Sequence, residues 1–365
     1  MAAAAGGKTL DRMRVLILVH WREEGKWDLL KSLEARGISV TLLQPAFPFP
    51  PHSPFNRFCS WLAEFYLPLL AMGRRRQFDI VVSWSMRTGV CFGLLNRLYR
   101  SAWKGQHIIQ DFHINMARKG LAYQQRLKLL RGAIKGIDCF LCTSTQEADI
   151  YSEFFKIQRE HIRFFPLAPP RHFLGIKPLP REDYLFSYGN SDRDYETLIR
   201  AVRELRVPTV ILSQAYRPSQ PLPPNVSLIT ARLPLSSMIR WNLQARCVVL
   251  PITDRRVAAG QLAMLETMAL GSPLIISQNW ATREYAVPGR DALFFEPGDV
   301  DALRTAITAL WESPRLALEM GAKARHAAGL MPDMQVAAFV ALLNDSRRLP
   351  EPLGAESWPV CSTGR

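Results

Sequence analysis

Short apolar runs alternate with amphipathic stretches along most of this chain. Met13-Arg-Val-Leu-Ile-Leu-Val-His20 is an apolar run ending in a polar residue, followed by a helical stretch to Arg36, then Gly37 and a second run, Val40-Thr-Leu-Leu-Gln44. That order opens a parallel βαβ unit, since parallel strands need a crossover between them. Asp79 to Ser83, His107 to Gln110 and Cys139 to Cys142 read as further strands. Ser144-Thr-Gln-Glu147 has the spacing of a capping box, so the strand at 139–142 is expected to run into a helix N-terminus. These elements predict a first doubly wound, Rossmann-like domain over residues 12–175, preceded by a flexible N-terminus at 1–11.

The prolines between Pro166 and Pro180 read as a linker, and after them the pattern restarts. Strands are expected at 184–187, 209–212, 226–229, 247–250 and 273–276, with helices from Asp194 to Leu205 and Gly260 to Leu270. A second α/β domain is thus expected over 176–330, then a C-terminal helix at 331–345 within a helical stretch that starts near 299, and a flexible tail at 346–365. Two open parallel sheets of this kind are expected to face one interdomain cleft with the carboxyl ends of their strands, where such sheets bind ligands.

Length and composition agree: 365 residues at 48% hydrophobic content can fill two cores without disulfides or metals. The cysteines at 59, 91, 139, 142, 247 and 361 include one close pair, Cys139 and Cys142, inside an apolar run, and a zinc site would need a second pair. They read as thiols of a reducing compartment, and the N-terminus lacks the pattern of a secretory signal, so the expected location is cytoplasmic. The net charge of +14 is uneven: residues 55–135 carry 14 Lys and Arg against Glu64, Asp79 and Asp111, while 136–365 carry 25 against 24. No nucleic-acid recognition motif accompanies the charge, and no nucleic-acid partner is expected.

Chemistry concentrates between Leu250 and Ile276. A strand ends at Pro251, a loop of small residues with Ala258, Ala259 and Gly260 follows, and a helix begins at Gln261. Unpaired amides at such a helix start suit a diphosphate, and small side chains let phosphate approach the backbone. Glu266, between one and two turns further in, can accept both hydroxyls of a ribose. Arg255 and Arg256 in the preceding loop are weaker phosphate candidates. In the first half, His20 ends the first strand, and Asp111 and His113 follow the strand at His107.

Leu265-Glu-Thr-Met-Ala-Leu-Gly-Ser-Pro-Leu-Ile275 resembles the signature of family 4 glycosyltransferases and their GT-B relatives. Tyr188-Gly-Asn-Ser-Asp-Arg-Asp-Tyr-Glu-Thr-Leu-Ile199 and the stretch from Tyr285 to Asp299 resemble two further family segments in the same order, so the likeness covers about 185–310, with the first half matching only in element order. The resemblance implies a GT-B fold and transfer of a sugar from a nucleoside-diphosphate sugar, retaining, without a metal or other cofactor. It places the ribose contact on Glu266 and the phosphate-binding basic residue on Arg193, with Gly189, Ala259, Gly260 and Gln261 lining the donor. A guanidinium fork suits two phosphate oxygens and keeps its charge. GT-B enzymes often set a histidine or His-Asp pair near the reacting sugar carbon, a role the resemblance assigns to His113 and Asp111, with His20 facing the same cleft.

The chain departs from the family pattern at Ala258, in the missing aromatic and second glycine of the same loop, and in the absence of a Gly-Gly pair after His20. The family's paired glutamates stand eight residues apart, and the first falls on Ala258, which leaves the sugar unreadable and keeps a non-catalytic GT-B scaffold and a sugar-nucleotide epimerase open as alternatives. The segment from Phe55 to Arg76 adds an expectation about location. Its apolar residues at 58, 61, 62, 65 and 69 form a helical stripe that ends in Arg74, Arg75 and Arg76, and Arg57, Glu64 and Pro68 make it too interrupted to span a bilayer. Such a helix fits either a core face or the interface of an anionic membrane, and the further charge at Arg118, Lys119, Arg126, Lys128, Arg131 and Lys135 favours the membrane. A lipid-linked or cell-envelope glycan is the expected acceptor, met at the inner face of the cytoplasmic membrane.

Overall fold

The computed structural model describes residues 13–21, 28–45, 53–99, 102–114, 120–256 and 258–344. They divide into two compact units, residues 13–165 with 336–344, and residues 166–335. The flexible ends expected at 1–11 and 346–365, and Arg118 and Lys119, lie outside the described residues.

In the first unit the order is β1 (Arg14–Leu18), α1 (Asp28–Glu34), β2 (Ser39–Leu43), α2 (Pro54–Arg74), β3 (Ile80–Ser83), α3 (Met86–Leu98), β4 (Gln106–Ile109), α4 (Leu121–Ala133), β5 (Cys139–Cys142), α5 (Thr145–Phe155) and β6 (Ile162–Phe164). The strands form one parallel sheet in the order β2-β1-β3-β4-β5-β6. Both faces are covered, which is why β1, β3 and β5 read as unbroken apolar runs. Val15, Ile17, Val82, Ile108 and Leu141 pack to one side with α1, while Leu16, Leu18, Val81 and Phe92 form a core on the other.

The second unit runs α6 (Arg171–Leu174), β7 (Glu182–Tyr188), α7 (Tyr195–Leu205), β8 (Thr209–Leu212), β9 (Val226–Ile229), α8 (Leu235–Gln244), β10 (Ala245–Leu250), α9 (Gln261–Leu270), β11 (Leu274–Ser277), β12 (Leu293–Phe295), α10 (Val300–Glu312) and α11 (Pro314–Asn344). Its parallel sheet is ordered β12-β11-β10-β7-β8-β9. The chain therefore leaves the sheet centre in opposite directions after β7 and after β10, and the gap between the carboxyl ends of β7 and β10 is the topological switch point where open α/β sheets bind ligands.

Three details differ from the expectations. The division falls at 165/166, ten residues before the proline-based boundary at 175, because the presumed linker packs onto the second unit: Phe173 is buried, and Arg325 donates to the carbonyls of Leu174 and Ile176 at 2.5 and 2.9 Å. The C-terminal helix begins at Pro314 rather than 331, with Pro314 in the first turn where its missing N–H costs nothing, and Val336, Phe339, Leu342 and Leu343 join the first unit's core. Ser144 makes no side-chain cap, and Glu147 turns to other partners. Among the described residues α11 alone is long and apolar enough to cross a membrane, but Met320, Ala324, Ala328, Met331 and Phe339 are buried in the protein, as in a core helix.

Candidate functional site

At the switch point of the second unit, β7 ends at Tyr188 and Gly189 turns the chain with φ +127°. The following loop brings Arg193 into an antiparallel bridge with Ile252, just past β10, so the two sides of the switch point are tied together by backbone. The Arg193 guanidinium lies across Gly189: a Cβ there would stand 2.7 Å from its Nε and Nη2. Gly260, with φ +88°, lies on the other side, its would-be Cβ 3.7 Å from Nη1. Gly189 thus clears the space the guanidinium occupies, a close approach that a side chain would block, while a Cβ at Gly260 would meet Ile252 at 2.8 Å.

Arg193 spends its donors on carbonyls, Nε to Tyr188 O at 3.1 Å and Nη1 to Ser191 O at 3.0 Å. Among the described residues no carboxylate lies within ion-pair distance. Desolvation lowers its pKa most, while Tyr195, Tyr188 and Asp192 act weakly in the opposite sense. A partly desolvated cation whose described partners are carbonyls alone keeps a net charge that a bound anion would compensate. Next to it α9 starts at Gln261 from a left-handed Gly260 with no side-chain cap, which leaves the first-turn amides to whatever lies in front of the helix.

Glu266 sits one turn and a half into α9, half-buried. Desolvation pushes its carboxyl up to about 7, partly offset by the Tyr188 hydroxyl, which lies 3.4 Å from Oε2. Tyr188 also donates to Ala263 O at 2.8 Å and stands 3.1 Å from Thr267 Oγ1, and its ring stacks on Phe186. Tyr188 was not singled out in the sequence. Its signal is an aromatic at the last position of a strand, which becomes informative only once β7 is seen to lie beside α9.

In the first unit, polar side chains gather past the carboxyl ends of β1, β3, β4 and β5. His113 Nδ1 is 3.0 Å from Glu147 Oε1, and the buried Glu147 also accepts from the Tyr151 hydroxyl at 2.8 Å and from Thr143 Oγ1 at 3.4 Å. An imidazole bonded through one nitrogen to a buried carboxylate has its ring orientation fixed. His20 Nε2 lies 3.7 Å from Glu64 Oε1, and Arg87 pairs with the other Glu64 oxygen. Burial lowers the His20 pKa and Glu64 opposes it; the solvent-accessible Asp111 is raised, first by desolvation, then lowered by His113 and raised by Glu147. His20, Asp111 and His113 therefore share one electrostatic neighbourhood. Glu64, Arg87 and Glu147 belong to it and were missed as site residues, because Glu64 looked like an interruption in an apolar stripe and Glu147 like a helix cap.

The model for Glycosyltransferase Family 4 matches residues 27–168, and that for Glycosyl transferases group 1 matches residues 192–313. The chain is a family 4-like glycosyltransferase. Its two parallel sheets have the GT-B fold, shared with solved structures throughout their length. Sucrose-phosphate synthase from Thermosynechococcus elongatus aligns with a TM-score of 0.64 at 17% identity over 91% of this chain and 98% of that one. Anabaena HepE, solved with UDP and glucose, gives 0.64 at 12% over 92% and 100%. WaaG, a glycosyltransferase involved in lipopolysaccharide biosynthesis, gives 0.54 at 13% over 89% and 99%. At these identities the likeness speaks for the fold. No curated protein sequence matches the chain.

Within the glycosyltransferase's second unit, Gly189, Arg193, Ala259, Gly260, Gln261 and Glu266 come together at one strand gap. Asn279 Nδ2 donates to Ala259 O at 2.9 Å and holds the loop before α9. Arg255 and Arg256 do not join: both are exposed, Arg256 paired with Asp254 at 2.8 Å and Arg255 3.7 Å from Glu296. Their printed partners are surface carboxylates rather than the residues of the gap.

Proposed function

We propose that this glycosyltransferase draws its sugar from a nucleoside-diphosphate sugar held at the β7/β10 gap, and passes it with retention to a lipid-linked or cell-envelope glycan at the cytoplasmic face of a membrane. The observation that carries the donor assignment is Arg193, a desolvated guanidinium without a carboxylate partner, set beside the uncapped start of α9. When the bond from the anomeric carbon to the diphosphate oxygen breaks, both electrons stay on the oxygen, and the growing charge falls to Arg193 and the α9 amides. Those groups do the electrostatic work a metal ion does elsewhere, so turnover is metal-independent in this reading. Glu266 takes the two ribose hydroxyls. HepE, solved with UDP and with UDP-glucose on the same fold, supports a nucleotide-sugar donor here.

In the first unit, the His113–Glu147 pair, with Asp111 and His20 in the same electrostatic neighbourhood, supplies the groups that would hold an acceptor hydroxyl. The experiment is transfer of labelled sugar from UDP-, GDP- and ADP-sugars into the organic phase of a membrane lipid extract, with equimolar release of nucleoside diphosphate. Label in the lipid phase with one donor supports the reading. Diphosphate release without label in any acceptor fraction would overturn the acceptor class, and neither product from any donor would overturn the reading as a whole.

A further inference from the structure

Helix α2 is a 21-residue element, about 30 Å long. It starts where Ser53 Oγ accepts from Asn56 N at 3.0 Å and Pro54 fills the first turn. Cys59, Ala63, Leu67 and Ala71 are buried, and so is Glu64, whose carboxylate meets His20 and Arg87. Among the described side chains, every one between Phe55 and Leu70 that is exposed is apolar: Phe55 60%, Phe58 54%, Trp61 47%, Leu62, Phe65, Leu69 59% and Leu70. Phe58, Trp61 and Phe65 lie ring against ring along it, with centroids 6.0 and 5.1 Å apart. The helix thus turns its large apolar residues to solvent and its one carboxylate inward, the reverse of an ordinary surface helix.

Its neighbours supply the charge. α2 packs on α3 and α3 on α4, and across these three helices Glu64 is the only acidic residue, while Arg74, Arg87, Arg97, Arg126, Lys128 and Arg131 are exposed. Arg76 is exposed just past the end of α2, but Arg75 is not part of this charge: it is buried and donates to Met72 O at 2.7 Å and Tyr99 O at 3.4 Å. Among the described side chains the exposed face from Phe55 to Leu70 is apolar, and the end of α2 and the helices packed in series beside it carry exposed basic groups, a combination that matches the layering of an anionic bilayer, with acyl chains for the rings and phosphates for the arginines.

We propose that α2 is an interfacial membrane anchor that lies in the boundary between headgroups and acyl chains of an anionic bilayer on its Phe55 to Leu70 face. It deepens the functional reading by naming the element that meets the membrane. Because the opposite face of the same helix carries Glu64, membrane contact and the His20–Glu64–Arg87 cluster belong to one rigid element, and a lipid-linked acceptor emerging from the bilayer enters beside that cluster.

The full chain is sedimented with vesicles of phosphatidylcholine, with and without phosphatidylglycerol. Wild type is expected to bind the anionic vesicles more tightly, by about five-fold for each basic residue that reaches the surface, and to lose that advantage as salt rises toward about 0.15 M. Phe58→Ser with Phe65→Ser and Leu69→Ser is expected to lower partitioning by about ten-fold per residue, on both vesicle types. Arg74→Ser with Arg76→Ser is expected to lower only the anionic component. All five side chains are exposed, so each variant should melt with the wild type and keep the rise in melting temperature that nucleoside diphosphate produces. Three results would overturn the proposal: wild type free of both vesicle types, the triple variant binding as wild type does, or a wild-type dimer that the triple variant splits while vesicles bind neither. Vesicle binding that persists in a protein insensitive to every nucleotide would refute the donor assignment and leave the anchor standing.

Discussion

Replacing Glu266 with Gln separates the cost of the site from its use. The folded carboxyl is pushed from 4.5 to about 7 by desolvation, so the native state binds its proton more tightly than the unfolded chain does. The group's contribution to stability is therefore greatest below pH 4.5 and is lost as pH rises from 4.5 to 7. A shift of that size corresponds to at most about 3 kcal/mol, and solvent reaching a half-buried carboxylate lowers this to about 2. Gln has the shape of the neutral acid. Glu266→Gln is therefore expected to melt with the wild type near pH 4.5 and above it, by about 5 °C, near pH 8. The same change removes a two-oxygen acceptor and should weaken nucleoside diphosphate binding by about 1.5–3 kcal/mol, roughly ten- to a hundred-fold. In the wild type the proton competes with the ribose, so affinity should fall as pH drops below 7 and level off near that of the Gln variant. Melting curves and calorimetric titrations across the pH range read both effects. Equal melting temperatures for the two proteins at every pH would show that the carboxyl is not desolvated, and an unchanged nucleotide affinity would remove Glu266 from the donor site.

Four further outcomes follow from the geometry. Arg193→Ala should lower turnover more than donor affinity, because the charge it meets grows as the bond breaks, and equal kcat in variant and wild type would sink that role. Gly189→Ala places a methyl 2.7 Å from the Arg193 guanidinium at φ +127°; it should move Arg193 aside and lower both kcat and donor affinity, whereas wild-type kinetics would show that Arg193 need not lie there. Turnover should persist in EDTA, and its loss on chelation with rescue by Mg²⁺ or Mn²⁺ would contradict the electrostatic role given to Arg193 and the α9 amides. Glu147→Gln keeps the side chain's shape but weakens the contact that orients His113 at 3.0 Å and should lower kcat; an unchanged kcat would leave Glu147 with only its bonds to Tyr151 and Thr143.

The fold was legible where both faces of a strand are covered, because β1, β3, β5, β10 and β11 then carry consecutive apolar residues and stand out as runs. β6, three residues with Arg163 in the middle, has no such run and was missed. The boundary was misplaced because proline marks a break in regular structure, and residues 166–180 are irregular yet packed. Arg193, Gly260 and Glu266 were reachable because their segments are short and ordered by a strand and a helix. Tyr188, Glu64, Arg87 and Glu147 were not, since their importance comes from partners between 4 and 79 positions away in the chain. The stripe on α2 could be seen in the sequence, but whether it faced core or solvent depended on which side of the helix α3 packs against.

The central claim is that the β7/β10 gap holds a nucleoside diphosphate against Arg193, and calorimetric titration of wild type and Arg193→Ala with UDP, GDP and ADP tests it most directly. One of the three should bind the wild type, and the variant should bind it more weakly by about 1.5–3 kcal/mol, the range for a hydrogen bond to a charged group. Absence of binding by all three nucleotides, or equal affinity in the two proteins, would contradict it.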